Sequence, residues 1–184
     1  MAHTRKSIKL RDVFLDTENP RHPQQDAEPA VVEELLSKFK VPKLAEDIAK
    51  RGLSPFENLG FIKHPKIKDK YVVVEGNRRT CALKLLSDPS KAPAKHRKLF
   101  EDLRDRLGLK IPDSVDGVVF DTVEESIEWK ALRHEGEQEG VGMLKWSTEA
   151  KKRNAEKRGQ RLYADLAIEL LDYGEKKGLI DRTT

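Results

Sequence analysis

Tyr71–Leu86 reads YVVVEGNRRTCALKLL and limits what this chain can fold into more than any other stretch. Three β-branched residues, Val72, Val73 and Val74, favour a strand. Glu75-Gly76-Asn77 interrupts it, and from Arg78 onward Cys81, Ala82, Leu85 and Leu86 recur at helical spacing. A strand that turns sharply into a helix presents backbone N–H groups at the helix N-terminus, at the positive end of its dipole. Gly76 lets a ligand approach the backbone, and Arg78 and Arg79 put two fixed charges at the same mouth. The geometry suits a phosphate. The plainer reading is a tight turn with two exposed arginines.

Around this turn the chain alternates short strands and helices. Ser7–Leu15 reads as a short strand or two with a break near Arg11-Asp12, and Thr17–Arg21 as a turn. Helices are expected over Pro29–Lys40, with Val32, Leu35, Leu36 and Phe39 as the apolar stripe, and from Pro42 to a stop at Gly52. Strands follow at Asn58–Lys63 and Tyr71–Glu75. Next come a helix over Ala92–Leu107 ending at Gly108, a strand over Gly117–Phe120, and a helix opened by a Thr122/Glu125 capping box. Ser147 or Thr148 caps a last long helix carrying Leu162, Leu166, Ile168, Leu170 and Leu171, interrupted at Gly159 and closed near Gly174. The class is α+β, with helices only in the final third.

The 184 residues provide for one domain, or one domain with a helical extension. Lys and Arg exceed Asp and Glu by 36 to 32, a net charge of +4 that permits an anionic partner without demanding one. A single cysteine excludes a disulfide framework and a multi-cysteine zinc site. No apolar run approaches a membrane span, and MAHTRKSIKL has no signal-peptide stretch, so a soluble, cytoplasmic protein with no membrane partner is expected.

Three motifs occur in order over roughly Ile8–Leu86: Asn19-Pro20-Arg21; Leu44-Ala45-Glu46-Asp47-Ile48 with Gly52-Leu53-Ser54-Pro55; and Gly76-Asn77-Arg78-Arg79-Thr80-Cys81-Ala82. Together they resemble the ParB/sulfiredoxin superfamily, in the branch of ParB-like N-terminal (ParB-like nuclease) domains. A weaker echo continues to about Ala150. The resemblance implies a ParB/sulfiredoxin-like fold, a small mixed sheet with packed helices, over residues 1–145, followed by a helical extension over 146–184. It also implies a pocket for CTP or ATP. Gly76, Asn77, Arg78 and Arg79 would hold phosphates and Thr80 would add a hydroxyl. Gly52, Leu53 and Pro55 would line the nucleoside side, with Arg21 near the pocket. Asn77 stands where partition proteins have glutamate and sulfiredoxins their reactive cysteine, which removes sulfinic-acid repair. Cys81, a turn further on among apolar neighbours, reads as a core filler.

Candidates for metal and catalysis are carboxylates and one histidine. Glu75 binds metal, orients Arg78 or faces solvent. Asp16 and Glu18 flank the Asn19-Pro20-Arg21 turn as Mg²⁺ candidates, though turn chemistry also explains Asp16. Glu135 is a Mg²⁺ candidate and His134 a phosphate donor or general base, unless both simply end a helix. Lys91–Arg106 and Lys151–Arg161 are basic and suit DNA phosphates or a solvated surface. Trp129 and Trp146 read as packing residues. The first reading is an enzyme that binds and hydrolyses a nucleoside triphosphate with Mg²⁺ and acts on DNA as an NTPase or Mg²⁺-dependent DNase. The alternatives are a non-catalytic, nucleotide-switched partition clamp and a small-molecule kinase. Expected partners are the nucleotide, DNA and a second copy in a homodimer.

Overall fold

The computed structural model describes residues 3–20, 22–107, 111–160 and 163–180; Arg21, Gly108 and Leu162 lie outside them, as does the side chain of Ile168. Five strands form one mixed sheet: β1 (His3–Lys9), β2 (Val13–Phe14), β3 (Leu59–Lys63), β4 (Tyr71–Glu75) and β5 (Ser114–Phe120), in the order β1-β5-β3-β4-β2. β1 runs antiparallel to β5, β5 parallel to β3, β3 antiparallel to β4, and β4 parallel to β2. The chain is therefore α+β, as the pattern of elements predicts.

The helices of this region are α1 (Glu28–Lys38), α2 (Val41–Arg51), α3 (Asn77–Ser87) and α4 (Ala94–Leu107). Helix α3 packs against α2 and α4. Cys81, Ala82, Leu83, Leu85 and Leu86 are all buried, so apolar residues surround most of its circumference, as expected of a helix enclosed by its neighbours. The core continues through Val31 and Leu35 of α1, Ile48 of α2, Phe61 and Val73 of the sheet, and Phe100 of α4.

Several boundaries differ from the sequence reading. Strand β1 starts at His3 rather than Ser7, and a 3-10 turn at Leu10–Asp12 forms the expected break. A second 3-10 turn at Pro89–Lys91 delays α4 to Ala94, and β5 reaches back to Ser114. Between β3 and β4 the register shifts at Gly60/Phe61: Gly60 faces Glu75 but Phe61 faces Val73, leaving Val74 as an extra residue on β4. This bulge breaks the in-out alternation, so Val73 and Val74 are both buried and Glu75 emerges half-buried at the strand end.

The chain divides into two compact units, Met1–Ala131 and Leu132–Thr184, along helix α5 (Val123–His134). Thr122 Oγ1 accepts the Glu125 N–H at 3.4 Å, while the Glu125 carboxylate takes the N–H of Asp121 at 3.1 Å, one residue earlier than a capping box requires. In the second unit the expected long helix is two, α6 (Thr148–Lys157), capped by Ser147, and α7 (Tyr163–Lys176). Gly159, at φ +66°, lies between them. Gly174 does not close α7; the helix passes through it to Lys176, and Gly178, also at φ +66°, follows the end. Trp129 and Trp146 are both exposed, which corrects their reading as packing residues; the Trp129 ring meets His3 edge-on. Among the described residues, no helix is long and apolar enough to cross a membrane.

Candidate functional site

The turn between β4 and α3 has the shape that its sequence suggests. Gly76 is the N-cap of α3 in the left-handed region (φ +97°, ψ 25°), and it offers the first-turn N–H groups no side-chain acceptor. Its positive φ favours glycine, and a Cβ there would lie 2.3 Å from Leu59 Cδ2, so the buried Leu59 side chain would have to move. Helical hydrogen bonding starts with Thr80 N–H to Gly76 O at 2.9 Å.

Asn77 does something the sequence does not disclose. It is 4% exposed and clasps the backbone of Asp16 from both sides. Asn77 Oδ1 accepts the Asp16 N–H at 3.0 Å, and Asn77 Nδ2 donates to the Asp16 carbonyl at 3.1 Å. This pair fastens the segment after β2 to the first turn of α3. Asp16 in turn accepts the N–H of Glu18 at 2.9 Å and the side-chain amide of Asn19 at 3.5 Å, which closes the Asn19-Pro20 turn. Below the clasp, Lys84 Nζ donates to Val13 O at 2.5 Å and pairs with Glu28, whose carboxylate also accepts the Leu15 N–H at 3.2 Å. The Val13–Asp16 segment is therefore pinned to α3 at two levels, two turns apart on one face of the helix.

The two arginines have different surroundings. Arg79 is mostly buried and pairs with Glu57 and with Glu75, the latter at 3.0 Å. Of the open alternatives for Glu75, an ion pair is the observed one, with Arg79 as a partner. Arg78 is half-buried beside it. Thr80 is fully buried and its hydroxyl has no hydrogen-bond partner.

The loop after α2 comes to the same mouth. Gly52 caps α2 at φ +81° and Leu53 packs on the core, while Ser54, Pro55, Phe56 and Glu57 are exposed. The contact of Glu57 with Arg79 draws this loop against the N-terminal turn of α3. Glu57 is the residue that sequence reasoning passed over; a lone glutamate two positions before a strand carries no local signal of its partner. The structure thus brings together Asp16, Glu75, Gly76, Asn77, Arg78, Arg79, Thr80 and the Gly52, Leu53 and Pro55 loop in the first unit. Arg21 lies outside the described residues. His134, at the end of α5, and Glu135 belong to the second unit, where Gln138 Nε2 donates to Glu135 Oε2 at 3.5 Å.

A magnesium ion held by protein side chains does not fit this arrangement. Asp16 and Glu75 are directed at protein donors, and among the described residues no three His, Cys, Asp or Glu side chains are grouped to hold a metal. No hydrolytic step is derived through such an ion.

No family model matches the sequence, and no curated protein matches it. Among solved structures, the chain is similar to the C-terminally truncated chromosome-partitioning protein ParB from Caulobacter crescentus complexed with CTP-gamma-S. The identity is 13% and the TM-score 0.46, and the match covers 83% of this chain and 61% of that one. The chain therefore spans less than two thirds of that ParB chain.

On the far side of the clasp, a pocket of about 240 Å³ lies along α3, lined by Leu15, Glu28, Val32, Cys81, Lys84 and Leu85 among others. Cys81 is buried, and burial pushes its thiol up to about 12. A thiol in that state holds almost no thiolate near neutrality. Cys81 is therefore expected to resist a disulfide reagent at pH 8 in the native protein and to react within seconds in denaturant, read as thionitrobenzoate release. Rapid native labelling would contradict this.

Proposed function

We propose that the N-terminal turn of α3 binds the phosphates of a nucleoside triphosphate, CTP or ATP, and that the chain is a ParB-like, nucleotide-switched module acting on DNA. The supporting observation is the left-handed, side-chain-free cap at Gly76, which leaves the positive end of a core helix to an outside acceptor with Arg78 next to it. Arg78, half-buried in the first turn of the helix, is assigned the charge for a phosphate. The clasped Asp16–Asn19 segment forms one wall and the Gly52–Pro55 loop the nucleoside side.

Binding is favoured over turnover because Glu75, the carboxylate at the turn, is paired with Arg79 rather than directed to a water. NTP hydrolysis is accordingly the second reading, and Mg²⁺-dependent DNA cleavage, which needs a metal held by side chains, is not carried forward. For DNA, α6 and its C-cap are the better basic surface: Lys151, Arg153, Lys157 and Arg158 are all exposed. On α4 and the turn before it, Lys91, Lys95, Lys98, Arg104 and Arg106 each pair with a carboxylate. A homodimer remains part of the proposal as the form in which a clamp closes.

Calorimetric titration with CTP and ATP tests the reading. Arg78→Ala removes one charge-assisted bond, about 2 kcal/mol, and is expected to weaken binding roughly thirty-fold. Unchanged affinity in a variant that keeps its melting temperature would refute the assignment.

A further inference from the structure

We infer that Phe56 is a stacking platform for the nucleobase, so that this chain distinguishes a nucleotide from a bare polyphosphate by an aromatic contact. The inference rests on the nucleotide reading above. Phe56 is 94% exposed, more than any other large apolar side chain among the described residues. Its backbone is nonetheless ordered by local bonds: the Phe56 N–H reaches Ser54 Oγ at 3.4 Å, and the Glu57 N–H reaches Ser54 O at 3.2 Å. Pro55, with a fixed φ, precedes it. The next residue, Glu57, is held by Arg79 in the first turn of α3. An aromatic ring kept in water on a fixed turn, one residue from a side chain anchored at the phosphate mouth, has no core to pack against.

A nucleobase supplies the missing face. Stacking needs only a flat ring and accepts any base, so Phe56 accounts for nucleotide over polyphosphate and not for cytosine over adenine. The Glu57–Arg79 pair fixes how far the ring stands from the helix terminus, which makes Glu57 a positioning residue for it.

The test compares CTP, ATP and inorganic tripolyphosphate on the full chain by calorimetry. The wild type is expected to bind either nucleotide about ten-fold more tightly than tripolyphosphate. Phe56→Ala is expected to erase that difference and leave tripolyphosphate affinity unchanged; because the side chain is exposed, the melting temperature should stay the same. In Phe56→Trp, the added indole emission is expected to be quenched by CTP and ATP but not by tripolyphosphate. Discrimination that survives Phe56→Ala overturns the stacking role. Equal wild-type affinity for all three ligands overturns it too, while leaving the phosphate site standing. Absence of binding by any of them overturns both readings.

Discussion

Asn77→Leu is expected to lower the unfolding free energy by about 3 kcal/mol. Leucine has the branching and heavy-atom count of asparagine but bulkier methyl ends, so no cavity forms and water is kept out. The Asp16 N–H and C=O then lose both bonds that Asn77 provides at 3.0 and 3.1 Å. Each backbone group left without a partner in a buried place costs on the order of 1–3 kcal/mol. Asn77→Asp is the informative companion. It keeps the acceptor for the Asp16 N–H and replaces the donor with an oxygen facing the Asp16 carbonyl. Its loss is expected to fall on one bond while adding repulsion at the other. Urea melts of the three proteins measure this, and a change below about 0.5 kcal/mol for Asn77→Leu would mean that the clasp contributes nothing. Since the clasp also shapes one wall of the proposed pocket, Asn77→Leu should weaken CTP or ATP binding under conditions in which it is still fully folded.

Gly117→Ala is expected to be costlier, about 4 kcal/mol, and to lower the melting temperature by roughly 10 °C. A Cβ there would lie 2.3 Å from the Phe61 ring and 2.5 Å from the carbonyl oxygen of Leu59. Leu59 is the register partner of Gly117 across the parallel β3–β5 pair, and Phe61 is fully buried in the centre of the sheet. A flexible side chain could rotate away from an added methyl, but a main-chain carbonyl within a ladder cannot. Relief has to come from spreading β3 and β5, the two strands joining the ends of the sheet. Differential scanning calorimetry would register the loss, and a melting temperature within 2 °C of wild type would show that β3 and β5 yield more easily than this packing implies.

The sequence was most legible where the signal was local. The change of period at Gly76, the proline and glycine that bracket α2, and the β-branched run of β4 all act within a few residues, and each element formed where expected. Strand β1 was harder to read because His3–Ser7 are exposed on both faces, so no alternation marks them; only pairing with β5, more than a hundred residues away, makes them a strand. The site divided in the same way. Gly76 was predictable from backbone geometry. The commitment of Arg79 to Glu57 and Glu75, and of Asn77 to the backbone of Asp16, depends on segments that only the folded chain brings together. Charge at a helix terminus says that an acceptor is wanted there. It does not say whether a ligand or the protein's own carboxylate answers first.

The sheet ends in two edges of different kinds, and their difference bears on how this chain can associate. At one end is β2, only two residues long; at the other is β1, with Arg5, Lys6 and Lys9 along it. A two-residue strand offers too few main-chain groups to template a neighbour, and a row of cations makes an approaching copy of itself repel. Sheet-to-sheet growth is thus discouraged from both sides. Helices and loops are left as the favoured surfaces for association, where contacts can be made and released without unpicking a ladder.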